Sequence, residues 1–136
     1  MNNRFSKEEI LRGKISFEKL VKQGTSLYQF PFRMIYLINP LISDTSEIPL
    51  SPIFPGKIGI TVPKRKFKRA VDRNKLKRRI RESYRKLKSE ELYPFLTDRN
   101  IQLEFLLIYT HHEILESDFM ANKLKSLIAK FKNGFK

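Results

Sequence analysis

Arg73, Asn74, Lys77, Arg78, Arg81 and Arg85 follow one another at steps of one, three and four residues. Wound as a helix at 100° per residue, Asn74, Lys77, Arg78, Arg81 and Arg85 gather on one face, and Lys75, Arg79 and Lys86 take the other flank. Guanidinium and ammonium groups in such an array do not make or break bonds. They neutralise phosphates and displace the counterions condensed on a nucleic-acid backbone. The array lies in a longer segment, Lys64 to Lys88, with fourteen Lys or Arg against Asp72 and Glu82; this segment holds +12 of the chain's net +14. A block this dense repels itself unless a polyanion neutralises it.

A helix is needed to hold the array. From Asp72 to Lys88, the residues Leu76, Ile80, Tyr84 and Leu87 form a narrow apolar stripe that can dock on a core. A merely solvated face would mix both signs, and a disordered basic arm would lack the stripe. Groups for catalysis are not arrayed in this way. The acids are scattered, and no two sit at helical spacing in an apolar setting, as an acid/base pair requires. His111 and His112 are adjacent, so on a strand or tight turn they are expected to point apart, as a polar strand end and not a metal site. The chain has no cysteine, no GxxxxGK[ST] and no GxGxxG. Binding is therefore expected, not self-sufficient catalysis.

The length of 136 residues predicts one domain over 1–136. With 40% hydrophobic residues, eleven Phe and five Tyr, the chain can build a core. No signal-peptide pattern opens it and no run approaches a membrane span, which predicts a soluble, cytoplasmic protein without a membrane partner.

Ser6 and Glu9 read as a capping box, with Phe5 and Ile10 as its hydrophobic staple, for a short helix to about Arg12. A helix through Phe17, Leu20 and Val21 follows, with Ser16 as its cap and Gly24 as its stop. Phe30–Ile38 and Lys57–Val62 read as strands, joined by a Pro-rich loop from Asn39 to Pro55. Leu92 to Asn100 reads as a turn, Ile101–Thr110 as a buried central strand, and Ser117 onward as a final helix with Phe119, Leu124, Leu127, Ile128 and Phe131 facing inward. The order helix, strand, strand, helix, strand, helix predicts an α+β fold, a small sheet packed by helices, with the basic helix inside a βαβ unit.

Ala70 to Glu82, AVDRNKLKRRIRE, resembles the AVxRNxxKRxxRE signature of the bacterial ribonuclease P protein subunit. Ile60 to Arg65 resembles that family's strand and basic turn, and Phe17 to Gly24 resembles its first helix. The resemblance covers roughly residues 5 to 130. It implies a left-handed βαβ crossover and a protein that binds a large catalytic RNA. That RNA cuts the 5′ leader from precursor tRNA using Mg²⁺ held mainly by the RNA, with no cofactor on the protein alone and no small-molecule substrate. It also implies that Arg73, Asn74, Lys77, Arg78 and Arg81 face the catalytic RNA; Lys64, Arg65, Arg69 and Arg85 of the same basic block are expected to bind RNA with them. The leader would lie in a cleft lined by Phe17, Val21 and Tyr36. Lys68 stands where the family commonly has Gly, Val21 where an aromatic is frequent, and His111 and His112 where basic residues often follow the strand. A ribosomal or other structural RNA-binding protein without a processing role is the alternative, and a DNA-binding protein using the basic helix is a third reading.

Overall fold

The computed structural model describes residues 9–11, 13–40 and 54–134. Four strands form one mixed sheet: β1 Thr25–Gln29, β2 Phe32–Pro40, β3 Gly56–Thr61 and β4 Ile101–Tyr109. Their spatial order is β1-β2-β4-β3. The pairs β1·β2 and β2·β4 are antiparallel, and β3 runs parallel to β4. The helices are α1 Lys14–Gln23, α2 Ala70–Leu87, α3 Tyr93–Asp98 and α4 Ser117–Gly134; a π turn over Lys88–Leu92 joins α2 to α3.

The expected α+β architecture is present, with β4 central as the apolar run predicts. Two elements differ from expectation, besides the N-terminal segment around Ile10. Thr25–Gln29 is a strand that hairpins onto β2 through Phe30 and Pro31, with registers from Thr25↔Tyr36 to Gln29↔Phe32. Its sequence, TSLYQ, has little apolar alternation because it is an edge strand, exposed at Thr25, Ser26 and Tyr28. The segment 92–100, expected as a turn, is mostly α3, with Pro94 in its first turn, where a missing N–H costs nothing.

Alternation along the strands separates two cores. On one face, Phe32, Met34, Leu103, Phe105, Leu107 and Tyr109 pack against α2 and α4. The α2 stripe is buried there through Leu76, Ile80 and Tyr84, with Leu87 half-buried. Each such burial stabilises the docked helix by about 1.5–3 kcal/mol. From α4 come Met120, Leu124, Leu127, Ile128 and Phe131; Phe119, expected inward, is exposed. On the opposite face, Leu20 of α1 packs with Leu11, Ile35 and Leu106.

Gly24 ends α1 in extended conformation, φ −74° and ψ 155°, so a left-handed turn is not its reason. A Cβ there would lie 2.5 Å from the Leu20 carbonyl oxygen and 2.6 Å from Ile35 Cγ2. Glycine allows α1 to lie close on β2.

The expected cap and staple at the N-terminus involve Phe5 and Ser6, which lie outside the described residues, as does most of the Asn39–Pro55 loop. Ile10 is not helical. It bridges Ile58 in parallel, and the Leu11 N–H donates to the Ile58 carbonyl at 2.9 Å, covering the free edge of β3. Glu9 is buried, with its carboxylate 2.5 Å from Lys88 Nζ and accepting from the Tyr93 hydroxyl at 2.5 Å.

Candidate RNA interface

The site is built on α2. Arg69 caps its start in extended conformation, and Asp72 lies in the first turn, where a carboxylate complements the helix dipole. Once Leu76, Ile80 and Tyr84 are buried, 3.6-residue geometry turns Asn74, Arg78 and Arg81 outward, and all three are exposed. Lys77 is half-buried. Lys64 and Arg65 lie exposed on the turn after β3, and Arg69 is exposed beside them.

Two of the expected contact residues are engaged within the protein. The half-buried Arg73 donates from Nη1 to the carbonyls of Phe67, at 2.8 Å, and Lys68, at 3.0 Å, holding the turn that precedes α2. Arg85 is paired with Glu82 through Nε at 3.1 Å and Nη2 at 2.6 Å. That hydrogen bond holds the Glu82 carboxyl below its ordinary pKa. Other cations of the block also turn inward. Lys66 donates to the Thr110 carbonyl, Arg79 to the Leu115 carbonyl at 2.9 Å, and Lys88 is buried against Glu9. The cationic surface is thus narrower than the charge count suggests, and it centres on Asn74, Lys77, Arg78 and Arg81.

This surface adjoins a small cleft. Phe17, Leu11, Ile58, Gly59, Lys77 and Arg81 line a space of about 170 Å³ between α1, β3 and α2. Phe17 lies close enough to β3 that a Cβ on Gly59 would come within 3.1 Å of its ring carbons. The basic helix and the aromatic residue of α1 are therefore brought together. Val21 is 64% exposed, one turn along α1.

Tyr36 does not join them. It packs edge-to-face on Phe131 of α4, with centroids 5.1 Å apart at 83°, on the far side of the sheet. Side chains alternate along β2, so Ile35 and Leu37 face α1 while Tyr36 faces α4. The α1 face also carries Arg33, which shares the parity of Ile35 and lies opposite Tyr28 of β1. Both are exposed, and Arg33 Nη2 donates to Ser26 Oγ at 3.3 Å. These residues were not singled out from the sequence. Their placement follows from the parity of β2, in which Phe32 and Met34 reach one core and Ile35 and Leu37 the other, and a segment apolar at successive positions does not display that parity.

His111 and His112 do not point apart. Their ring centroids are 4.5 Å apart, because β4 ends at Tyr109 and the chain bends, so strand alternation no longer applies. Among the described residues no three His, Cys, Asp or Glu side chains converge as a metal cage, and no helix is long and apolar enough to cross a membrane.

A four-stranded mixed sheet with helices on both faces and one docked helix with a cationic outer arc defines a class of small basic α+β domains suited to polyphosphate ligands. Within that class, the chain belongs to the ribonuclease P family: the family model described as Ribonuclease P matches residues 5–132. The chain is similar to the ribonuclease P protein component of Chlorobaculum tepidum, 36% identical over 83 residues, covering 61% of this chain and 50% of that protein. It is also similar to the ribonuclease P protein component of Idiomarina loihiensis, 62% identical over 29 residues, covering 21% of this chain and 23% of that one. The chain thus spans half or less of these relatives' length. The fold matches the RNase P protein of Staphylococcus aureus at TM-score 0.67 and 21% identity, covering 91% of this chain and 95% of that one. It matches the RNase P protein of Thermotoga maritima at TM-score 0.66 and 23% identity, covering 90% and 96%.

Proposed function

We propose that this protein is the protein subunit of a ribonuclease P holoenzyme. It binds the catalytic RNA through Asn74, Lys77, Arg78 and Arg81 of α2, with Lys64, Arg65 and Arg69 extending the cationic surface. It binds the 5′ leader of precursor tRNA in the cleft beside Phe17 and Val21, and so assists endonucleolytic removal of the leader. The bond-breaking step belongs to the RNA, with Mg²⁺ held mainly there. The protein contributes charge neutralisation and positioning, in the cytoplasm.

The observation that carries this reading is the junction of Phe17 with Lys77 and Arg81 in one cleft. An aromatic ring beside two cations suits an unpaired, charged strand, because bases stack on the ring while phosphates meet the cations. A protein that only coats structured RNA needs the cationic arc alone.

Reconstitution tests it. Added to a bacterial ribonuclease P RNA at low Mg²⁺, the protein should restore cleavage of precursor tRNA at the mature 5′ end. Tight RNA binding without any stimulation of cleavage would favour a structural RNA-binding role and remove the processing role.

A further inference from the structure

Apart from the α2 cleft, one end of the sheet carries a group of rings, exposed at Phe30, His112 and Phe119 and half-buried at His111. Phe30 lies in the β1–β2 turn, His111 and His112 follow β4, and Phe119 lies in the first turn of α4. Phe30 meets His111 edge-on with centroids 5.0 Å apart, and Phe119 at 6.4 Å. Phe30 is 38% exposed and Phe119 40%. The apolar face of α4 is already supplied by Met120, Leu124, Leu127, Ile128 and Phe131, so the core does not account for Phe119.

The surroundings carry both signs: Glu113, Glu116 and Asp118 are exposed here beside the cations. Lys123 Nζ lies 5.3 Å from the centre of the Phe119 ring. The Lys66 ammonium donates to the Thr110 carbonyl, which brings the exposed Lys64–Arg65 turn to the same end of the sheet. Glu113 lies 4.0 Å from His111 and 3.6 Å from His112 at the nearest ring nitrogens. Exposed Phe rings, one with a lysine ammonium beside it and a cationic turn at the same end of the sheet, suit an unpaired base with its flanking phosphates better than an apolar protein surface, because every base offers a π-face and every linkage a negative charge.

We propose that Phe30, His111 and Phe119 form a stacking platform for an unpaired RNA base, with Lys123 and the Lys64–Arg65 turn neutralising the adjoining phosphates. The proposal rests on the reading that the ligand is RNA. It concerns elements that the Phe17 cleft does not use. The base can come from the precursor or from the catalytic RNA; the chemistry is the same, and the test separates the two.

The double variant Phe30→Leu/Phe119→Leu keeps apolar bulk but removes the π-faces. Phe30→Tyr/Phe119→Tyr keeps both. Two affinities are measured at fixed salt: protein for ribonuclease P RNA alone, and assembled holoenzyme for precursor tRNA with short and long leaders. The Leu variant should weaken one of them about tenfold, the scale of one base–aromatic stack, while the Tyr variant stays within about twofold. The affected arm identifies the source of the base. Leu and Tyr variants that behave alike, or a Leu variant that binds as tightly as the unsubstituted protein in both arms, would overturn the platform.

A second measurement needs no variant. Single-stranded RNA carrying 4-thiouridine is photo-crosslinked to the unsubstituted protein and the peptides are mapped. Crosslinks at Phe30, His111 or Phe119 support the platform, and crosslinks confined to other segments overturn it. If the platform variants are normal while the reconstituted enzyme cleaves, the platform falls and the proposed function stands. If the protein neither binds ribonuclease P RNA nor stimulates cleavage, the proposed function falls, and crosslinking to single-stranded RNA still decides the platform.

Discussion

Arg73 and Arg78 belong to one motif but meet different surroundings. Arg73 ties down two carbonyls of the turn before α2, while Arg78 stands in solvent. Their substitutions should therefore separate. Arg73→Ala should cost about 1–2 kcal/mol of stability, since it removes two charge-assisted hydrogen bonds, the one to the Phe67 carbonyl partly buried and the one to the Lys68 carbonyl exposed. Arg78→Ala/Arg81→Ala should change stability by less than about 0.5 kcal/mol per site. It should, however, make the salt dependence of RNA affinity shallower by about 1.4 in log–log slope, roughly 0.7 for each lost phosphate contact. Denaturant midpoints and RNA affinity across a salt series measure both quantities. A double variant with an unchanged slope would show that this arc does not meet phosphate. The spacing of Arg73, Asn74, Lys77, Arg78 and Arg81 was legible from sequence because helical periodicity and the apolar stripe set it. Which guanidinium turns inward was not legible, because carbonyls of a preceding turn, or of Leu115 for Arg79, leave no mark in a charge pattern.

At the scale of elements, the outcome turns on which face of the sheet a strand residue reaches. The helix α1, the strands β2 and β3 and the central β4 were legible as elements from turn residues and apolar runs, although α1 begins at Lys14 with Gly13 as its cap, so Ser16, expected as the cap, lies inside the helix. The parity of β2 was not resolved, since FRMIYLI is apolar at successive positions and both faces of this sheet are covered. Phe17 and Tyr36 consequently separate across the sheet, and their substitutions should differ. Phe17→Ala should leave the protein folded and weaken holoenzyme affinity for precursors with a five-nucleotide leader more than for those with one nucleotide. The loss should correspond to about 1–3 kcal/mol, the range for one stacked base. Tyr36→Ala removes the edge-to-face partner of Phe131, so it should lower stability by about 2–4 kcal/mol and leave leader dependence intact. Leader-length series on both variants check this. Equal loss at both leader lengths for Phe17→Ala would show that α1 does not contact the leader.

For the molecule as a whole, the joint between the chain's beginning and the end of α2 matters most. Buried Glu9 meets Lys88 Nζ and accepts from the Tyr93 hydroxyl, whose oxygen also lies 3.3 Å from the Gly56 carbonyl oxygen. Glu9 reads locally as a helix cap and Lys88 as the last of fourteen surface cations; only the tertiary fold brings together residues this far apart in sequence. Removing one partner, by Glu9→Gln or Lys88→Met, should cost about 3–5 kcal/mol because a charge is left buried. The double variant should cost less than the sum of the two, and urea midpoints of all four proteins measure that coupling.

The same joint sets the behaviour at high pH. Burial pushes the phenol of Tyr84 far above its ordinary pKa, and the phenol of Tyr93 shifts the same way through burial, then through neighbouring Tyr84 and Glu9. In the unfolded chain both phenols ionise near pH 10. Below that value both states hold the protons and the stabilising contribution is complete. Above it the unfolded state has released its protons and the folded state has not, so stability falls as pH rises. The fall is up to about 1.4 kcal/mol per pH unit for each tyrosine that stays neutral. Tyr84→Phe removes one of these groups without removing its ring. Between pH 9 and pH 11 the unsubstituted protein should therefore lose stability more steeply than Tyr84→Phe, with the gap between their urea midpoints shifting in favour of the variant. The lysines that also titrate there are common to both proteins and cancel in the difference. Two stability curves that stay parallel from pH 9 to pH 11 would show that the Tyr84 phenol ionises as readily in the folded protein as in the unfolded chain.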